Sequence, residues 1–205
     1  MNIKRIMCIS ILCTLSLCAT EIKVDGSYSK LLGNPFKAKL ETKTQSMSII
    51  SSSDKIVNFT VETNKKGDFG TGFSAPTFSV KASDCNNILK TFFAEDYNIV
   101  ANASKTASCE ILPSKVTISY VMDNENHMNQ ISDIVVDLNI NLTIDGQGMK
   151  LSNTMNKDLN KSGSHLGLAI RAVWNPDYSS MNENVHKILE YAIYDTLNKN
   201  FKGLK

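Results

Sequence analysis

The sequence predicts an α+β domain: an antiparallel β-sheet with a mid-chain helix and a C-terminal amphipathic helix packed on one face. Ile134, Val136, Leu138, Ile140, Leu142 and Ile144 alternate with polar residues, the period of a strand with one dry face. Ile88, Leu89, Phe92 and Phe93 recur at helical spacing behind Ser83 and Asp84, either of which can cap a helix. Val185, Ile188, Leu189, Ala192, Ile193, Leu197 and Phe201 form an apolar stripe after the capping-box pattern Ser180-Met181-Asn182-Glu183. Strands gathered around two helices, rather than alternating with them, give the α+β class.

The first 20 residues read as a signal peptide. Lys4 and Arg5 precede an apolar run from Ile6 to Leu17 that is too short for a membrane span. Ser16-Leu17-Cys18 and Cys18-Ala19-Thr20 both offer small-residue cleavage sites. Leu15-Ser16-Leu17-Cys18 also resembles a bacterial lipobox, with Leu17 where that pattern carries a small residue. The resemblance implies Cys18 as the lipidation site and, through it alone, membrane association.

Residues 21–35, with Gly26, Gly33 and Pro35, read as an irregular lead-in, and 36–205 as a single α+β domain. Phe36, Ala38 and Leu40 alternate as a strand, as do Val57, Phe59 and Val61. The Gly-rich stretch between Asn64 and Ala75 is a loop, and Thr77 to Lys81 a short strand. The first helix is expected to end near Tyr97, with Ile99 and Val100 opening a strand. Val116, Ile118, Tyr120 and Met122 mark the next strand. Asp145-Gly146-Gln147-Gly148 turns the long strand back on a partner carrying Met149 and Leu151. Lys157 to Gly167 reads as a loop, Leu166 to Trp174 as a strand broken by Arg171, and Gly203 as the residue ending the last helix.

Removing Lys4 and Arg5 leaves 20 of the 22 basic residues against 20 acidic ones. A neutral mature chain gives no electrostatic case for binding nucleic acid. Cys8, Cys13 and Cys18 lie in the signal, so Cys85 and Cys109 remain as one pair, expected as a disulfide in an oxidising compartment.

The titratable residues form no recognisable catalytic pattern. His127, His165 and His186 are not at metal-ligand spacing, and H-E-x-x-H and G-x-S-x-G are absent. Gly163-Ser164-His165 reads as turn chemistry, and the glycines of Gly67 to Gly72 lack the helix of a phosphate cradle. Asp123 to Asn126 lacks the glycine and distal glutamate of a calcium loop. No catalytic residue, cofactor or metal is expected; a scattered hydrolase site would need His127 or His165 to meet a carboxylate. Phe69 and Phe73, in the Gly-rich loop, are candidate partner contacts. Sequons stand at Asn58, Asn102, Asn141 and Asn160; the last, behind Asp158 on a predicted loop, is the candidate glycosylation site. Asp137, Asn139, Asn141, Thr143 and Asp145 line one wet strand face able to meet a polar ligand.

The block order LKTFFAEDYNIV, KVTISYVMD, DIVVDLNINLTIDGQ and ENVHKILEYAIYDTLNKNF resembles the small Gram-negative envelope lipoproteins of the YajG and PqiC types. Leu89, Tyr97 and Ile99 match places in their L-x-x-L-x-x-x-G-Y-x-V helix end, with Asp96 at the glycine. The resemblance implies a non-enzymatic part of an envelope assembly or transport machine, in the periplasm, at the outer-membrane periphery or secreted, whose partners are envelope proteins. The alternative is a cell-surface ligand-binding or adhesion module recognising a glycan or small polar ligand.

Overall fold

The computed structural model describes residues 19–31, 43–51, 53–66, 76–123, 128–158 and 181–201. Its elements are β1 (Thr20–Glu21), β2 (Ser46–Ile49), β3 (Ile56–Asn58), β4 (Thr60–Lys66), β5 (Phe78–Lys81), α1 (Cys85–Phe93), β6 (Asn98–Ile99), β7 (Lys105–Ile111), β8 (Lys115–Asp123), β9 (Met128–Ile144), β10 (Gln147–Asp158) and α2 (Met181–Phe201). The fold is α+β, as the periodicities predict.

β9, at 17 residues, is the spine of a seven-stranded sheet. One of its edges pairs with β10, while the other takes β8 along Met128–Asp137 and β7 along Ile140–Ile144. Ile134, Val136, Leu138, Ile140 and Leu142 are all buried at 1% exposure or less, so the predicted dry face holds along the strand. Truncating one of them to Ala would cost roughly 2–5 kcal/mol. Asp145 (φ 49°) and Gly146 (φ 81°) make the two-residue turn into β10, the left-handed pair that suits the twist of a hairpin.

The sheet is mixed rather than purely antiparallel. β4 pairs with β8 in parallel, and β2 lies parallel to both β6 and β7. Parallel neighbours need a long crossover, and the chain supplies one through β5 and α1 before it returns as β7 and β8. Side-chain alternation reports which face is buried but carries no strand direction.

The expected strand through Val57, Phe59 and Val61 divides between two sheets. The Phe59 N–H donates to the Phe78 carbonyl at 2.9 Å, whereas the next amide, of Thr60, donates to Ser114 at 3.0 Å. β3 therefore joins a three-stranded sheet with β5 and β1, while β4 edges the large one. β2 and β7 are not among the expected strands: β2 has only four residues, and the dry face of β7 starts with the small Ala107 and Cys109 before Ile111. The expected strands at Phe36–Leu40 and Leu166–Trp174 and the glycine stop at Gly203 lie outside the described residues.

Both helices lie on the dry face. α1 is bolted to β7 by the Cys85–Cys109 disulfide, with Cα atoms 5.4 Å apart and both residues fully buried. Asn86 adds a second tie, its Oδ1 accepting the Cys109 N–H at 2.8 Å. α1 stops at Phe93 and unwinds through a turn to Tyr97, short of the expected end. Asp84 stands at its N-cap position without capping it, because its carboxylate instead accepts the Val24 N–H at 3.3 Å.

α2 departs from a simple amphipathic stripe. Asn184, Lys187, Glu190 and Thr196 are buried along with the apolar residues. The sheet meets one side, where Asn153 of β10 donates to Asp195 at 3.0 Å, and residues 25–29 cover another. The described part of the lead-in, 21–31, has little regular structure, yet Ile22 and Val24 enter the common core.

Candidate functional site

Among the described residues, a dense polar constellation surrounds Glu190, whose side chain is 0% exposed. Its Oε1 accepts the N–H groups of Asp25 (3.2 Å) and Gly26 (2.7 Å), and its Oε2 those of Tyr28 (2.9 Å) and Ser29 (3.0 Å). The loop takes this shape because Gly26 sits at φ +80° and the Asp25 Oδ1 accepts the Ser27 N–H at 2.9 Å. Bonds from Ser27 also hold the Asp25 carboxyl below its ordinary value. One helical turn before Glu190, the His186 Nε2 lies 2.7 Å from its Oε1 and 3.8 Å from the Asp25 Oδ1.

Tyr28 closes the cluster. Its ring meets His186 edge-on at 5.0 Å, and the Lys187 ammonium sits 5.2 Å from the ring centre while pairing with Glu183 at 2.6 Å. Burial, reinforced by Glu183, pushes the Tyr28 phenol up to about 12.

Asp25, His186 and Glu190 present ligand atoms within 4.8 Å of one another, a spacing that a metal ion could bridge. The donor set does not fit one. Four N–H dipoles point their positive ends at the Glu190 carboxylate and already hold its lone pairs. This is a backbone nest for a buried anion, with imidazole beside it, and its role is to fasten residues 25–29 to α2. A carboxylate set within the apolar run Ile188 to Ile193 is the sequence signal that marks it.

Two surfaces are better placed to meet another molecule. The outer face of the large sheet presents Thr117 and Ser119 from β8, Asp137, Asn139, Asn141 and Thr143 from β9, and Ser152 and Thr154 from β10. Lys115 pairs with Glu62 at 2.9 Å, and the Asp137 carboxylate accepts the Thr154 hydroxyl at 2.7 Å. At the β2–β6 margin, Ile50 (49% exposed) and Val100 (45%) add apolar surface. The second surface is a cleft of about 350 Å³ where α1 and α2 end. Met47, Phe92, Phe93 and Phe201 line its depth, with Gln45, Asp96, Tyr97, Lys105 and Asp145 among its other lining residues.

The expected site residues divide between these surroundings and segments outside the described residues. Cys85 and Cys109 form the disulfide. The reading that His186 is not at ligand spacing is corrected: it stands at i, i+4 from Glu190, and the helical turn draws it into the Glu190 cluster. Asn58 and Asn102 are exposed and Asn141 is half-buried on the outer sheet face. Cys18, Phe69, Phe73, Asn160, His127 and His165 lie outside the described residues. Among the described residues no helix is long and apolar enough to cross a membrane. No protein-family model and no curated protein matches the chain.

Proposed function

We propose that the protein is an exported, non-enzymatic domain of a bacterial envelope that works through protein–protein contact in assembly or transport. The observation that carries this reading is the outer sheet face: polar side chains from adjacent strands, bordered by the exposed Ile50 and Val100. A non-obligate interface taken as a whole is no more apolar than the rest of a protein surface, so a largely polar face with a small apolar margin can serve as one. Among the described residues that face offers no aromatic ring, the amphipathic platform a sugar ring would pack against, so it suits a protein better than a glycan. The N-terminal signal pattern and the buried disulfide agree with an oxidising compartment outside the cytoplasm.

The test is site-specific photo-crosslinking in the native cell. A photoreactive residue at Thr117, Asn141 or Val100 should yield a discrete envelope adduct, and one at the exposed Lys90 of α1 should not. Absence of adducts from all three sheet positions would remove the proposal.

A further inference from the structure

On the export reading proposed above, we infer that a signal peptidase cuts between Cys18 and Ala19, so that the mature protein begins at Ala19. Water hydrolyses the Cys18–Ala19 peptide bond, leaving a carboxylate on Cys18 and an ammonium on Ala19. Three overlapping patterns compete in the sequence. Ser16-Leu17-Cys18 places the cut before Ala19, and Cys18-Ala19-Thr20 places it before Glu21. The lipobox-like Leu15-Ser16-Leu17-Cys18 places it before Cys18. Each leaves the fold a different first residue.

β1 discriminates among them. It runs parallel to β5, with Thr20 opposite Phe78 and Glu21 opposite Ser79. The Thr20 N–H donates to the Thr77 carbonyl at 2.8 Å, and the Ile22 N–H to the Ser79 carbonyl at 2.7 Å. The first bond needs a peptide amide at Thr20, which exists only while Ala19 is joined to it. A cut before Glu21 would delete that bond together with half of the strand. It would also place an ammonium one residue before Ile22, which is 3% exposed and enters the core with Val24. The peptidase acts on an unfolded precursor, so the fold does not direct the cut, but its product must carry every residue that the fold uses. The cut before Ala19 is the furthest downstream that leaves β1 whole. A cut before Cys18 would keep β1 but put lipid on Cys18. Two peptide steps, about 7 Å at full extension, separate Cys18 from Thr20. The headgroup layer on one side of a bilayer is itself about 5–8 Å thick. An anchored chain would hold β1 and the exposed Glu21 within or hard against the headgroups, with no linker to clear them. A free Ala19 imposes no such contact, and Leu17 stands where the lipobox carries a small residue.

N-terminal sequencing and intact mass of the native protein, recovered from cells and medium, test the assignment. The chain should start at Ala19 with a free amine and no acyl mass. Ser16→Phe, which puts a bulky side chain at the small-residue position of the assigned site, should accumulate uncleaved precursor. Thr20→Phe makes the same change at the site before Glu21, on an exposed residue, and should be processed like the parent. Released from a fusion at Glu21, the chain should melt lower than when released at Ala19. A native N-terminus at Glu21, or a diacylglyceryl mass on Cys18, would overturn the assignment and leave export standing. A native chain that keeps residues 1–18 would overturn both. Normal processing of Ser16→Phe, a block in Thr20→Phe, or equal melting of the two released chains would each count against the cut before Ala19 and overturn it.

Discussion

Glu190 and Gly26 stand 164 positions apart in the chain and are joined by a 2.7 Å hydrogen bond from the Gly26 N–H to the Glu190 carboxylate. Around that bond the loop at residues 25–29 is wrapped onto α2. A fully buried anion is tolerable only because backbone N–H groups replace the water it has lost.

Glu190→Ala should therefore destabilise the protein by about 3 kcal/mol or more, since it strips four amides of their acceptor. Glu190→Gln should cost nearly as much, because its NH2 would face N–H donors. Denaturant unfolding checks the magnitude, and hydrogen exchange should show protection lost first at Asp25 to Ser29.

Gly26→Ala tests the loop without touching the carboxylate. At φ +80° a β-carbon is strained, and here it would also stand 3.3 Å from the Asn87 carbonyl oxygen. A loss of about 1–2 kcal/mol in unfolding free energy is expected, with the disulfide and the sheet intact.

The Cys85–Cys109 bridge closes a loop with a sequence separation of 24. Replacing both residues with Ala should lower stability by about 3 kcal/mol. Because both sulfurs are fully buried, a mild reductant should leave the native bridge intact and open it only once denaturant is added. Thiol labelling with and without denaturant distinguishes the two states.

Asp84 gives the pH dependence. Burial raises its carboxyl above the ordinary 3.8, despite the Val24 N–H it accepts. A raised folded value means that stability present below pH 3.8 is lost as the pH rises through the folded value. Asp84→Asn keeps an acceptor for Val24 and carries no charge. It should melt higher than the parent at pH 7 and no higher at pH 3. The gain should be no more than about 1 kcal/mol, because the side chain is partly open to solvent. Melting curves at the two pH values decide it.

The sequence by itself determined the α+β class, the dry face of β9, a turn within residues 145–148, the two helices and the cysteine pair. Each of these is a local quantity: a period of two or 3.6, a left-handed glycine, or a pair remaining after subtraction. Tertiary structure decided what depends on distant partners. It set β4 and β2 parallel to their neighbours, broke one alternating run between two sheets at Phe59, and buried α2 on the side that carries Lys187 and Glu190. It also brought Phe92, Tyr97, Asp145 and Phe201 to one cleft from two helices and two turns. A polar residue in a helix reads as solvated until the segment that supplies its hydrogen bonds is known. For Glu190 that segment is the loop at residues 25–29, which no periodicity within α2 could reveal.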